Sequence, residues 1–167
     1  MTVTPSHDVT RRAWSPVVAL LFATLVAGTL DISYAIVVSA FRGTAPMVIW
    51  QSVASGLLGE ATYQGGVLTA MAGGLLHFGI MGCAALTFYL LSRRWPRLVQ
   101  QPFVWGPLFG VGVFIVMNYV VVPLSAIGHI FHRTPLLFIG ELFSHVVFVG
   151  LPIAWFASRT ARRDELA

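Results

Sequence analysis

Asp31, His77, Asn118, Glu141 and His145 are polar or ionisable side chains set inside stretches that are otherwise apolar. A charge in hydrocarbon is costly, so such residues face a partner, a cavity or a ligand rather than lipid. Imidazoles and carboxylates of this kind can ligate a metal ion, relay a proton or grip a polar ligand. Each of these uses needs groups from more than one element to meet. Glu141 and His145 stand four residues apart, which puts both on one helical face, with Ser144 close beside them.

Three chemistries follow. His77, Glu141, His145 and Asp31 form a two-histidine, two-carboxylate set that suits zinc, iron or copper, and His77 with His145 has the ligand types for a b-type haem. No cysteine or methionine cluster points to copper(I). A metal ion, a haem or another small ligand all fit this donor set, and the cofactor stays open. The second chemistry is proton or ion movement, since acid and histidine chains serve as relays in membranes. It is weakened by what lies deeper: Cys83, Thr87, Phe148 and Trp155, with no ionisable group before the arginines. In the third, His77 bonds Glu141 and His145 bonds Asp31 or Asn118, and the set only locks helices together. His129 and His132 lie in a loop above these groups and are candidates for a lid or an entry ligand. No nucleophile–base pair, phosphate loop or nucleotide fingerprint is present, so the sequence gives an enzyme little support.

The composition sets the surroundings of these residues. The chain has 167 residues, 57% of them hydrophobic and only 10% charged, with a mean hydropathy of +0.82. A soluble domain carries about a quarter charged residues. The composition therefore describes one integral membrane domain, residues 1–167, with the lipid bilayer as its main partner. Every basic side chain is arginine, and the arginines gather at the ends of apolar stretches. That is the habit of membrane anchors, so the net charge of +4 does not suggest nucleic acid. Cys83 is the one cysteine, so no intrachain disulfide forms, and its apolar setting reads as packing.

Four stretches are long enough to span, at about 13–41, 67–91, 103–124 and 136–156; each reaches or approaches the ~20 residues a bilayer requires. The first follows Arg11 and Arg12 and is too long for a cleaved signal, so it reads as an uncleaved anchor. Arg11 and Arg12, then Arg93, Arg94 and Arg97, then Arg159, Arg162 and Arg163 mark one side, against Arg42 and Arg133 on the other. The positive-inside rule then puts both termini in the cytoplasm and the two remaining loops in the periplasm of a bacterial inner membrane. Between the first two spans, Thr44 is a candidate cap for a short amphipathic helix. Its apolar positions are Ile49, Trp50, Val53, Ala54, Leu57 and Leu58, lying on the membrane or tucked into the bundle. The fold expected is all-α, a four-helix transmembrane bundle with this extra helix.

Small residues indicate which faces meet. Thr24, Ala27, Gly28, Asp31, Tyr34 and Ala35 share a stripe on the first span; Gly66, Ala70, Gly73, His77 and Ala84 share one on the second. The third span aligns Val111, Phe114, Asn118 and Val122, with no small-residue groove around Asn118. At about 1.5 Å per residue, His77 and His145 both lie ~15 Å below the outer ends of their spans. All five polar groups then fall in one half of the bilayer. The same stripes also permit a homo-oligomer or a place in a larger membrane complex. Trp50, Trp95, Trp105 and Trp155 read as interface anchors.

Four runs carry a resemblance: Gly73-Gly-Leu-Leu-His77-Phe, Ser92-Arg-Arg-Trp-Pro96, Met117-Asn-Tyr-Val-Val-Val-Pro-Leu-Ser125, and Gly140-Glu-Leu-Phe-Ser-His145-Val-Val-Phe. From the second span onward the chain resembles the YagU-like small bacterial inner-membrane proteins. The resemblance implies a bacterial inner-membrane helical protein with a histidine on the second span and a Glu/His pair on the fourth. It implies no activity and no cofactor.

Overall fold

The structure, a computed structural model, describes residues 13–130 and 133–161. Among these it is all-helical, with no strand. Helix α1 runs Pro16–Ala40, α2 Pro46–Leu58, and α3 Gly66–Arg94. The single turn α4, Arg97–Gln100, leads into α5, Pro102–Leu124, and α6 is Pro135–Ser158. Helices α1, α3, α5 and α6 are long and apolar enough to cross a bilayer, so the chain is a multi-pass membrane protein built as a four-helix bundle.

Proline starts most of these helices. Pro16, Pro46, Pro102 and Pro135 each occupy the first helical turn, where a missing N–H costs nothing. Ser15 and Thr134 add a side-chain cap, accepting from the Val18 and Leu137 amides. For α2 the expected cap at Thr44 is not used. Ala45 holds that position and gives no side-chain bond. At the other end of α3, Arg93 and Arg94 lie in the last turn, where cations complement the helix dipole.

Backbones approach through glycine. A Cβ on Gly73 would stand 1.8 Å from the Trp50 carbonyl oxygen, so α2 lies directly on α3 there. Gly106 and Gly110 do the same for α5 against α6: a Cβ on Gly110 would lie 2.3 Å from the His145 carbonyl oxygen, and one on Gly150 2.1 Å from the Gly106 carbonyl oxygen. The third span therefore does hold a small-residue groove, two turns and more below Asn118, spelled Gly-x-x-x-Gly. On α1, Ala19, Ala23 and Ala27 are buried along one stripe. Ala23 and Ala27, with Met81, Ala85, Phe88, Val149 and Ile153, form an apolar core toward the Arg93 and Arg159 end. Leu21, Leu25, Leu75, Leu90, Leu108 and Ile139 point outward, as lipid-facing residues do.

Helix α2 is tucked into the bundle, and it faces the opposite way from a soluble amphipathic helix. Gln51, Ala54 and Ser55 are buried, while Met47, Leu57 and Leu58 are exposed. In a bilayer the apolar side belongs to lipid and the small polar side to protein. Gln51 donates its side-chain amide to the Gly66 carbonyl and to Thr69, and Thr69 donates to the Thr62 carbonyl. Trp50 is half-buried, its ring edge-on to His77 at 6.1 Å between centroids. Cys83 is exposed rather than packed inside.

Two of the long helices widen before a proline. In α5 a π turn covers Met117–Val121, just before Pro123. In α6 one covers His145–Gly150, just before Pro152. A proline cannot donate to the carbonyl four residues back, and its ring crowds that oxygen. Opening the turn by one residue relieves the clash, and such turns often coincide with functional residues. Pro123 lies in the last turn of its helix, which ends at Leu124.

Candidate functional site

A cavity of about 900 Å³ opens between the second half of α1 and the first half of α6. Asp31 and Tyr34 line it from α1; Glu141, Phe143, Ser144 and His145 line it from α6. Arg42 and Arg133 stand at its mouth, beyond the ends of the two helices. Its remaining walls, Ala35, Val38, Leu136 and Ile139 among them, are apolar. From Asp31 to the end of α1 is about 14 Å at the usual helical rise.

Ser144, Glu141, Arg133 and His145 each have a defined partner in or beside the cavity. Ser144 Oγ donates to Asp31 Oδ1 at 2.7 Å, joining α6 to α1. Arg133 grips Glu141 with two nitrogens, Nε to Oε2 at 2.5 Å and Nη2 to Oε1 at 3.2 Å. This paired geometry is the strong form of an arginine–carboxylate contact. His145 donates from Nδ1 to the Glu141 carbonyl oxygen at 2.9 Å, within its own helix. A carbonyl can only accept, so Nδ1 carries a proton, and in the neutral tautomer this fixes, Nε2 holds the lone pair. The Phe114 ring packs against this imidazole at 5.5 Å and holds its plane. Tyr34 and Phe143 sit 6.5 Å apart across the cavity wall, with Phe148 behind both. The Tyr34 hydroxyl rests over Gly140, where a Cβ would approach it to 2.4 Å.

His77 and Asn118 lie outside the cavity lining. His77 is buried at 6% exposure and donates from Nε2 to the Gly28 carbonyl oxygen at 2.9 Å. Trp50 and Phe78 flank its ring edge-on. Asn118 is buried in the π turn of α5 and donates to the Phe114 carbonyl at 3.0 Å. Neither His77–Glu141 nor His145–Asp31 nor His145–Asn118 is the bond formed. His129 is exposed, and its Nδ1 donates to the Ile127 carbonyl at 2.8 Å. His132 lies outside the described residues.

The four expected ligands therefore divide. Asp31, Glu141 and His145 share one space, with Ser144 between them, and His77 faces another helix's backbone. Among the described residues no three of His, Cys, Asp and Glu are grouped to hold a metal ion. Glu141 is taken by Arg133, and His77 spends its Nε2 on Gly28. A haem clasped by His77 and His145 would need both rings on one cavity, and only His145 lines this one.

Sequence reasoning noted Arg133 for topology and Tyr34 for its stripe, and gave neither a place in the site. The signal for Arg133 was available: it is an opposite charge eight residues before Glu141, and a long arginine side chain reaches about two turns along the helix. Phe143 carried no signal beyond being aromatic next to Ser144. Comparison of the chain with family models, with curated proteins and with solved structures finds no match.

Proposed function

We propose that this protein is a small multi-pass component of a bacterial inner membrane that binds a small ligand in the cavity between α1 and α6, on the periplasmic side. The observation that carries the reading is the meeting of Asp31, Ser144 and His145 at mid-span in a cavity with largely apolar walls. Polar groups at that depth are expensive unless something uses them. A cavity with apolar walls and a few convergent polar groups is the usual form of a small-molecule site. The arginine distribution supports the orientation, with both termini cytoplasmic. The runs that resemble the YagU-like proteins support a bacterial source. Ligand binding is favoured over metal or haem because the described donors do not converge. It is favoured over ion movement because the half beyond His145 is filled by an apolar core of Val149, Ile153, Ala154 and Phe88.

A second reading has its own observation. Among the described residues no buried side-chain nitrogen or oxygen lacks a hydrogen-bond partner. His77 on Gly28 is an interhelical lock, and a protein built only of such locks is an accessory subunit that packs on a larger complex.

Native mass spectrometry of protein extracted in mild detergent separates the two. Under the ligand reading a small adduct travels with the chain and is lost in Ala35→Trp, which fills the cavity. Under the accessory reading no adduct travels with the chain, or one persists in Ala35→Trp.

A further inference from the structure

Asp31 is an acid without a counter-ion. Arg133 is engaged by Glu141, and that is the one salt bridge among the described residues. Asp31 receives a single hydrogen bond, from Ser144 to Oδ1. Its Oδ2 has no protein partner, and it is not sealed in, because no buried side-chain oxygen among the described residues is orphaned. The carboxylate therefore keeps one oxygen open to the cavity it lines. His145 lines the same cavity and offers a second acceptor, the Nε2 lone pair fixed by its Nδ1 bond to the Glu141 carbonyl. Both groups ask for a donor or a positive charge. The walls beside them are the rings of Tyr34 and Phe143, whose faces attract cations.

We infer that the cavity takes a hydrophobic organic cation, an amine or quaternary ammonium on an apolar body, with its charge on Asp31 and against Tyr34 and Phe143. The inference rests on the ligand-site reading above and names the ligand's class. Glu141 cancels Arg133 at the mouth. Arg42 also stands at the mouth and is the one other cation in the lining, eleven residues along the chain from Asp31. An apolar body reaches the site through the open side between α1 and α6, from lipid, and does not have to pass that arginine. The rival occupant is an anionic amphiphile held by Arg42 at the mouth, which would leave Asp31 facing its tail.

Two ions of one shape and opposite charge test this. The purified full chain in non-ionic detergent is titrated with tetraphenylphosphonium and with tetraphenylborate, and saturable one-per-chain binding is read above the micelle background. The cation is expected to bind about tenfold or more tightly than the anion. Asp31→Asn is expected to weaken cation binding about tenfold or more with helical content and elution unchanged, and Asp31→Glu to keep the preference for the cation. The preference itself is measured on the unaltered chain, so it stands even where a variant fails to fold. Equal or tighter binding of the anion overturns the inference, as does full cation binding by folded Asp31→Asn, or no binding of either ion. If neither ion binds while the Ala35-sensitive adduct persists, the cation assignment falls and the ligand site stands. If that adduct is missing as well, both fall.

Discussion

His77 donates its Nε2 proton to the Gly28 carbonyl oxygen at 2.9 Å, so an imidazole on α3 reads the backbone of α1 where that helix has no side chain in the way. Gly28 is buried against Phe78, the neighbour of His77 in sequence, and the two contacts fix the register of the helices together. Interhelical hydrogen bonds in membranes are worth about 0.6–2 kcal/mol. His77→Leu should cost that much and lower the thermal midpoint in detergent. It should leave the co-purifying adduct in place, because His77 does not line the cavity. An adduct lost in folded His77→Leu would return His77 to the binding site.

Glycine contacts give a sharper contrast on a single helix. A Cβ at Gly110 would meet the His145 carbonyl and the Val146 backbone, whereas one at Gly112 would meet nothing within 4 Å. Gly110→Ala should push α5 from α6 and destabilise by about 1–3 kcal/mol or more. Gly112→Ala should be neutral or gain up to about 0.5–1 kcal/mol from the removal of a flexible residue in a helix. Thermal midpoints of the two variants check the pair. Similar losses at both positions would mean that α5 and α6 are not in backbone contact.

The spans were legible because they are long, apolar and punctuated. The expected stretch at about 136–156 is the helix Pro135–Ser158, and the one at 103–124 is Pro102–Leu124. Pro135 and Arg159 bracket the first of these, and Arg97, Pro102 and Pro123 bracket the second. The inward face of α2 was not legible. Its apolar spacing is real, but in a bilayer the apolar side turns to lipid, so Gln51 and Ser55 face the bundle and Leu57 and Leu58 do not. The site was legible in part, for a related reason. Rise per residue gives the level of a side chain and says nothing of its direction around the bundle axis. Asp31, Ser144, Glu141 and His145 share a level and a cavity, while His77 shares the level and faces Gly28. The π turn at His145–Gly150 adds a rotation that no count of 3.6 residues per turn foresees.

The grip of Arg133 on Glu141 ties the loop before α6 to its second turn. Both side chains are partly exposed, at 21% and 28%, so their coupling should be small, about 0.2–1 kcal/mol. A double-mutant cycle of Arg133→Gln and Glu141→Gln, read by unfolding in detergent, should return a coupling of that size. It should shrink in high salt, because a half-exposed pair is screened. A coupling of zero at low salt would remove the pair as an anchor for the cavity mouth.

Orientation in the membrane is open to direct chemistry. With Cys83→Ala as background, a cysteine at Gly43 and one at Gln100 report opposite ends of the bundle: Gly43 follows α1 at the Arg42 end, and Gln100 closes α4 beside Arg97. Three arginines near Gln100, Arg93, Arg94 and Arg97, against Arg42 near Gly43, predict a cytoplasmic position for the former. A membrane-impermeant maleimide added to intact spheroplasts should therefore label Gly43→Cys and spare Gln100→Cys until the membrane is opened. The reverse pattern would invert the topology and put the mouth of the α1/α6 cavity on the cytoplasmic side. The Asp31 site would then draw its ligand from the inner leaflet, and its partners would have to be sought there.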